Sequence, residues 1–358
     1  MEKMKAASIA GRGKIRIEEI PKPEVFPGML LLKVIYCSIC GSDVERVYGT
    51  PATVASEELR AETGGAILGH EYVARVESVG EGVTGWSVGD RVVDVHLPCG
   101  HCYYCKRGLG DLCMGGRVRG HPYDGTRPPI PNIHRMGAMT EYVIRPATSR
   151  LKVPESVTDE ESAMTEPLAT GVTAALCSGV KLGDSVVVIG VGHIGLMVMA
   201  AAKAAGAAPL IVTDKNPSRL DIATEIGANI ALNPDKTDVI KAVVDITEAG
   251  PDIAFVCVSS RATGVLEQAF EMVRYHGRIM IVGNAAPATL QPGRWLTKEV
   301  RVEGTVHMGE AMIPAMKLIE NGQVNLKPIV TEVIPLEEAQ RAFDSLQNGT
   351  NVAVVVKP

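Results

Sequence analysis

The sequence predicts an α/β chain with two kinds of domain: a β-rich first domain and a second domain with a doubly wound parallel sheet. Between about residues 179 and 305, apolar runs alternate with helical segments, an order typical of a parallel sheet covered by helices. Over residues 1 to about 95, short apolar runs are separated by Gly and Pro, which favours a small barrel-like domain. A length of 358 residues and a hydrophobic content of 46% are ample for two or three cores.

The elements can be placed in chain order. In the first part, strands are expected at 29–36, 71–79 and 90–95, and short strands and a helix start at 137–165. The second part predicts strands at 185–189, 210–213, 253–258 and 278–282, with helices ending near 206 and spanning 217–227 and 263–274. Helices at 314–321 and 336–347 precede a last strand at 351–357, which needs a partner elsewhere. We therefore expect domains at 1–166 and 167–306, with residues 307–358 returning to the first domain.

Charge and composition indicate small-molecule partners. The net charge of -5 and the absence of a long Lys/Arg block argue against nucleic acid. No apolar stretch reaches about 18 residues and no signal-peptide core follows the N-terminus, so we expect a soluble cytoplasmic protein with no membrane contact. In such a reducing compartment, closely spaced cysteines favour metal binding over disulfides.

A glycine turn follows the predicted strand at 185–189. Gly190 permits the turn, Gly192 lets the backbone approach a pyrophosphate, and Gly195 lets the helix pack on the strand. Asp214 ends the next strand at about the spacing expected for a carboxylate that binds the ribose hydroxyls, which favours NAD over NADP. The alternative is a structural turn with Asp214 capping a helix. The candidate cofactor-binding residues are Gly190, Gly192, His193, Ile194, Gly195, Asp214 and Arg219, the last of which can soften the preference for NAD.

A first metal site is predicted in a Cys-rich lobe at about 96–115. The segment has little apolar content and contains four cysteines that are separated by two, two and seven residues: Cys99, Cys102, Cys105 and Cys113. Zinc prefers tetrahedral thiolate coordination, and four sulfurs leave no position for water, so this zinc would be structural. The alternative is four reduced cysteines without a metal.

A second metal site is predicted from two separate segments, Cys40-Gly-Ser-Asp43 and Gly69-His70-Glu71, both at ends of apolar runs. A catalytic zinc needs three protein ligands and one open position. Cys40 and His70 would supply two ligands, and either Glu71 or Glu166 the third. Taken alone, a His beside a Glu is more often a surface pair; the glycine turn downstream favours the metal site.

Together these motifs resemble the zinc-containing medium-chain alcohol dehydrogenase/reductase family, in its polyol (sorbitol) and L-threonine dehydrogenase-like branch. The resemblance covers nearly the whole chain and also includes Val88-Gly-Asp-Arg-Val92 and Glu166-Pro-Leu168. It implies a GroES-like catalytic domain, a Rossmann NAD-binding domain and two zinc ions per subunit. It further implies that Cys40 and His70 bind the catalytic zinc, that Ser42 passes on the substrate proton, and that Asp43 orients His70. Glu71 and Glu166 would be the two carboxylates at the metal, one binding directly and the other contacting the zinc-bound water.

The resemblance implies an NAD-dependent dehydrogenase that oxidises a secondary alcohol to a ketone by zinc-assisted alkoxide formation and hydride transfer. The expected substrate is a polyol, cyclitol, diol or related hydroxy compound. Glu45 stands where relatives often carry a His, and His307 falls near where polyol dehydrogenases often place an Arg, so substrate recognition differs here. The alternatives are a physiological reductase of an aldehyde or ketone, an L-threonine 3-dehydrogenase-like activity, and a non-enzymatic zinc- or nucleotide-binding relative. Because members of this family are commonly homo-oligomers, the resemblance predicts a homodimer or homotetramer. The strand near 300–303 is a candidate for pairing between subunits.

Overall fold

The computed structural model describes residues 2–49, 67–95, 102–107, 137–289, 291–305 and 311–358. The chain divides into two compact units. The first contains Met1–Glu166 and Val330–Pro358, and the second contains Pro167–Ile329. Among the described helices, none combines the length and apolar character needed to cross a membrane.

The first unit is built from β-strands, as the sequence predicts. The strands are β1 Lys3–Gly11, β2 Lys14–Pro21, β3 Met29–Ser38, β4 Glu71–Val79, β5 Arg91–Asp94, β6 Tyr142–Pro146, β7 Arg150–Lys152, β14 Val330–Pro335 and β15 Ala353–Lys357. Strands β1 and β2 form a hairpin, and the others form a seven-stranded sheet of order β14-β15-β3-β4-β5-β7, with β6 also paired to β3. Its helices are α1 Gly41–Tyr48, α2 Asp159–Ala163 and α10 Ala339–Gln347.

Strand β3 is central to this unit because it pairs with three neighbours and is apolar along most of its length. The C-terminal strand β15 pairs antiparallel with β3, so that Val356 lies opposite Cys37. The last strand therefore pairs within the first unit. Side chains of β3, β4, β15 and α10 share one hydrophobic core, in which Leu32, Phe343 and Val354 are fully buried.

The second unit is a parallel sheet with helices between its strands. The strands are β8 Val186–Ile189, β9 Leu210–Thr213, β10 Ile230–Leu232, β11 Ile253–Val256, β12 Arg278–Ile281 and β13 Arg301–Gly304, in the order β10-β9-β8-β11-β12-β13. Every pairing is parallel. This is the doubly wound order whose topological switch point, between β8 and β11, is where such sheets bind dinucleotides. The helices are α3 Thr165–Ser178, which begins in the first unit, α4 His193–Ala204, α5 Pro217–Glu225, α6 Val239–Thr247, α7 Val265–Met272, α8 Pro292–Lys298 and α9 Met312–Glu320.

The division into units differs from the expected domain bounds near the end of the chain. The chain returns to the first unit at Val330, not at 307, because α9 and the short 3-10 turn Lys327–Ile329 belong to the second unit. That turn contacts α5. The sequence analysis did not identify strand β10, which forms one edge of the parallel sheet, or helix α6, which packs against α7.

Candidate functional site

Two loops of the first unit meet because β3 and β4 pair antiparallel. Their register places Ser38, the last residue of β3, opposite Glu71, the first residue of β4. Cys40 follows β3 by two residues and caps the N-terminus of α1, and His70 directly precedes β4. The strand pairing therefore brings together side chains that are about thirty residues apart in sequence.

Cys40, His70 and Glu71 form a compact group of potential metal ligands. One ligand atom of each lies within 4.8 Å of those of the other two. Zinc bonds of about 2.0–2.3 Å place neighbouring ligand atoms about 3.3–3.8 Å apart, so small side-chain rotations suffice to bring all three onto one ion. Glu71 is buried, Cys40 is half-buried and His70 is exposed, which leaves one side of the group open to solvent. One sulfur, one nitrogen and one oxygen ligand with an open side fit a catalytic zinc.

The buried carboxylate of Asp43 joins the two loops. Its Oδ2 accepts a hydrogen bond of 3.3 Å from the Cys40 backbone N–H, and its Oδ1 accepts one of 3.3 Å from the Gly69 backbone N–H. The Nδ1 atom of His70 lies 3.5 Å from Asp43 Oδ2. Because Nδ1 faces Asp43, Nε2 is the ring nitrogen left for a metal, an arrangement common among ligating histidines.

Both Cys40 and His70 hold their protons strongly in this environment. Burial raises the pKa of the Cys40 thiol to about 12, and the charge of Glu71 acts in the same direction. The His70 side chain is about 44% exposed, and the burial of the rest lowers its pKa. The hydrogen bonds to Asp43 and Cys40 outweigh this effect and raise the pKa above its ordinary value. Metal binding requires a thiolate and a neutral imidazole, so an ion that binds here must displace protons.

Glu166 is the second carboxylate of the region. It lies on the first turn of α3, in the same unit as the other three residues, but outside their compact group. Burial raises the pKa of Glu166 to about 8, and the charge of Glu71 is the next cause. The structure thus brings both candidate carboxylates into one electrostatic environment, with Glu71 the closer to Cys40 and His70.

Ser42 and Glu45 lie on α1 beside this group, and both are exposed. An exposed hydroxyl two residues from Cys40 has access to solvent, as passing on a proton requires. His307 lies outside the described residues, as do Cys99 and Cys113.

The described half of the Cys-rich lobe is compatible with a shared ion. The sulfur atoms of Cys102 and Cys105 are 3.4 Å apart. A disulfide bond is only about 2.05 Å long, whereas two thiolates on one tetrahedral zinc are separated by about 3.8 Å. The distance is therefore close to that of two ligands of one metal.

Sequence reasoning missed a polar cluster in the same sheet and one contact of Asp43. The Tyr72 hydroxyl donates to Asp94, which also accepts a hydrogen bond from Arg150, and Arg145 Nε lies 3.7 Å from the same carboxylate. These residues come from four different strands, so no local pattern connects them. Arg46, on α1, lies 3.6 Å from Asp43 Oδ1. Its spacing of three residues from Asp43 on a helix is the one signal that could have identified this contact.

The glycine turn lies between β8 and α4, at the switch point of the parallel sheet. Gly190 has φ +87°, a conformation that favours glycine. A Cβ atom on Gly195 would overlap the Gly190 carbonyl oxygen, so the helix lies directly against the turn. A Cβ atom on Gly192 would meet only Arg219 Nη1, at 3.7 Å, among the described atoms within 4 Å. The space beside Gly192, at the N-terminus of α4, is therefore largely open, which suits an anion site.

His193 and Ile194 are the first two residues of α4, and His193 is buried. Asp214 follows β9 and holds the turn through its Oδ2, which accepts a hydrogen bond of 2.9 Å from the Val191 N–H. Arg219 Nη1 lies 3.8 Å from the same oxygen. The residues predicted for the cofactor are thus neighbours, and a carboxylate and a guanidinium stand together at the end of β9.

Comparisons with known proteins agree with both units. Residues 26–155 match the family model of the alcohol dehydrogenase GroES-like domain, and residues 194–321 match that of zinc-binding dehydrogenases. An L-threonine 3-dehydrogenase of Pyrococcus abyssi is 33% identical over 94% of this chain and 92% of its own length. A sorbitol dehydrogenase of Bacillus subtilis is 31% identical over 96% and 93%. The crystal structure of a putative zinc-binding dehydrogenase from Sinorhizobium meliloti 1021, bound to NADP, is 27% identical with a TM-score of 0.85 over 100% of both chains.

Proposed function

The chain belongs to the zinc-type medium-chain alcohol dehydrogenase family, and we propose that it oxidises a secondary alcohol of the polyol or diol type to a ketone, with NAD as the hydride acceptor. It is an oxidoreductase that acts on CH–OH groups. The observation that carries the proposal is the compact group of Cys40, His70 and Glu71, whose ligand atoms lie within 4.8 Å of one another.

We assign Cys40, His70 and Glu71 as the protein ligands of the catalytic zinc. Glu71 is preferred to Glu166 as the third ligand because its carboxylate lies within the compact group and that of Glu166 does not. Glu166 would then be the second carboxylate of the site, which contacts a zinc-bound water. A second, structural zinc is assigned to the four cysteines of the lobe, Cys99, Cys102, Cys105 and Cys113. The distance between the sulfur atoms of Cys102 and Cys105 supports this assignment.

A zinc ion bound at the first site would supply Lewis acidity, which makes an alcohol hydroxyl easier to deprotonate near neutral pH. Asp43 holds His70 by its Nδ1 side and so fixes the direction of Nε2. We assign the exposed Ser42 hydroxyl to pass the alcohol proton toward solvent. In the overall reaction, the alcohol carbon loses a hydride to NAD and the hydroxyl loses a proton, giving ketone, NADH and a proton.

The preference for NAD rests on Asp214. A carboxylate at the end of β9 accepts hydrogen bonds from the adenosine ribose hydroxyls and repels a 2'-phosphate. Arg219 is the residue that could accept such a phosphate, since in the described part of the chain its buried Nε has no hydrogen-bond partner. NADP is bound in the crystal structure of the Sinorhizobium meliloti relative, so NAD and NADP both have to be tested as cofactors. We expect NAD to be preferred and NADP to be used at a lower kcat/KM.

The edge strand β13 supports a proposed homodimer. It pairs only with β12 among the described strands, and Arg301 and Glu303 are exposed. An unpaired edge can extend a sheet by pairing with a second copy. Sedimentation at several concentrations would test this, and a monomer throughout would contradict it. A cytoplasmic location is likewise proposed from the sequence alone.

The function is tested by measuring NADH formation by the zinc-loaded enzyme across diols, polyols, cyclitols, hydroxy acids and L-threonine, with NAD and NADP in parallel. The relatives act on L-threonine and sorbitol by name, so both are included as reference substrates. We expect turnover of a polyol or diol. A clear preference for L-threonine would reassign the substrate. Faster reduction of the matching ketones at physiological cofactor ratios would reassign the direction. If no substrate of the panel gives NADH while zinc and NAD are both bound, the proposed substrate class is contradicted.

A further inference from the structure

The charge balance around Asp43 points to a role for Arg46 that no motif indicates. The Asp43 side chain is fully buried, and each of its oxygens has two polar neighbours. Oδ2 faces the Cys40 backbone N–H and His70 Nδ1, whereas Oδ1 faces the Gly69 backbone N–H and Arg46 Nη1. Two of these neighbours are backbone amides, which carry no net charge. Among the residues that the structure describes, His70 and Arg46 are the two neighbours whose side chains can carry a compensating positive charge.

These two side chains differ once a metal is bound. A histidine that ligates zinc is a neutral imidazole. His70 can then still donate from Nδ1 to Asp43, but it no longer contributes a positive charge. A bound zinc ion would bring two positive charges, but the Cys40 thiolate and the Glu71 carboxylate that hold it would balance them. A buried carboxylate without a further compensating cation is strongly unfavourable. Among the described neighbours of Asp43, Arg46 is therefore the cation that remains.

We propose that Arg46 is a positioning residue of the metal site: it holds the Asp43 carboxylate from Oδ1, so that Oδ2 keeps His70 directed at the zinc. Arg46 contacts neither the metal nor the substrate and acts through Asp43. Its side chain is about 29% exposed, and its Nη1 atom lies 3.6 Å from Oδ1 of the fully buried Asp43 carboxylate. This inference rests on the proposed zinc ligands, but not on the identity of the alcohol.

The competing explanation is that Arg46 only stabilises α1. It lies in the last turn of that helix, where a cation interacts favourably with the helix dipole. Such a role would change the melting temperature and leave the metal unaffected. Metal affinity and the spectrum of the bound metal separate the two explanations.

The test compares Arg46→Met with Arg46→Lys, which keeps the charge. Cobalt replaces zinc, and the visible bands that disappear in Cys40→Ser report this site alone. We expect Arg46→Met to weaken the Cys40-dependent cobalt affinity at least about tenfold and to shift its bands, because residues that orient a metal ligand typically contribute about 10–100-fold in affinity. Arg46→Lys should recover most of the loss.

Combining Arg46→Met with Asp43→Asn tests whether Arg46 affects metal binding through Asp43. If Arg46 acts through Asp43, the double variant with Arg46→Met should bind cobalt as weakly as Asp43→Asn alone, within about threefold. Wild-type affinity and bands in Arg46→Met would overturn the proposal, as would fully additive losses in the double variant. If Arg46→Met does not fold, Arg46→Gln replaces it with the same expectation. A wild-type protein with the Cys40-dependent cobalt spectrum but no alcohol oxidation would contradict the proposed function and leave this inference standing.

Discussion

Gly69 offers a sharp test of how the fold positions His70. Its backbone has φ +92°, a region that side chains with a Cβ rarely adopt. A Cβ atom there would lie 2.5 Å from Cys37 Sγ and 2.9 Å from Met139 Cγ. Both of these side chains are fully buried and cannot move into solvent. Gly69→Ala therefore combines backbone strain with overpacking directly beside a proposed zinc ligand.

The magnitude follows from these two effects. Strain at an unfavourable φ costs about 1–3 kcal/mol, and overpacking a filled core costs about 1–3 kcal/mol. The free energy of unfolding should therefore fall by roughly 2–6 kcal/mol. For a unit of this size, that corresponds to a melting temperature about 4–24 °C lower. Since His70 must move with residue 69, we also expect metal affinity to fall at least about tenfold.

The assay is thermal unfolding with and without zinc, together with chelator competition. Gly41→Ala is the matched control, because Gly41 lies beside Cys40, has no positive φ, and a Cβ there would meet no other atom within 4 Å. We expect it to change stability by no more than about 0.5 kcal/mol. Adding Cys37→Ala to Gly69→Ala should restore part of the stability by removing the closest contact. A Gly69→Ala protein that melts and binds zinc like the wild type would refute the reasoning.

Three further predictions concern the cofactor turn and the metal. Gly195→Ala should weaken NADH binding at least about tenfold, because the new Cβ overlaps the Gly190 carbonyl oxygen, while Gly293→Ala, which meets nothing within 4 Å, should not. NADH titration by fluorescence would contradict this if both variants matched the wild type. Asp214→Ala removes a carboxylate that also accepts a hydrogen bond from the Val191 N–H, so kcat/KM should fall for both cofactors but more for NAD. An unchanged ratio of kcat/KM with NADP to kcat/KM with NAD would contradict this. Metal removal by a chelator should abolish turnover and preserve NADH binding, and full turnover in protein shown by elemental analysis to be metal-free would argue against a catalytic metal.

Much of the fold can be predicted because its strands are buried. Strands β8 and β9 are continuous apolar runs, and their predicted bounds agree with the structure to within one residue. The predicted run at 71–79 coincides with β4. By contrast, β10 is three residues long and only half-buried, so its pattern is too weak to identify. Helix α6 carried a usable signal, since the Asp238 side chain caps its N-terminus, but it follows that weak strand.

The site could be predicted in its residue types but not in its geometry. Cys40 and His70 stand out as ligand types at the ends of apolar runs. Their meeting depends on the register that places Ser38 opposite Glu71, and a period of two along each strand does not reveal which strands pair. The same limit applies to Arg46, whose contact with Asp43 has meaning only once that carboxylate is known to be buried beside His70.

The most direct test of the account is the rate of NADH formation by Cys40→Ser, measured beside the wild type on the best alcohol of the panel with zinc in excess. Lewis-acid assistance contributes several kcal/mol, so we predict a rate at least about 100-fold lower. NADH affinity should stay unchanged, because Cys40 belongs to the first unit and the glycine turn to the second. Turnover at the wild-type rate with intact NADH binding would contradict the claim that a metal held by Cys40, His70 and Glu71 carries the reaction.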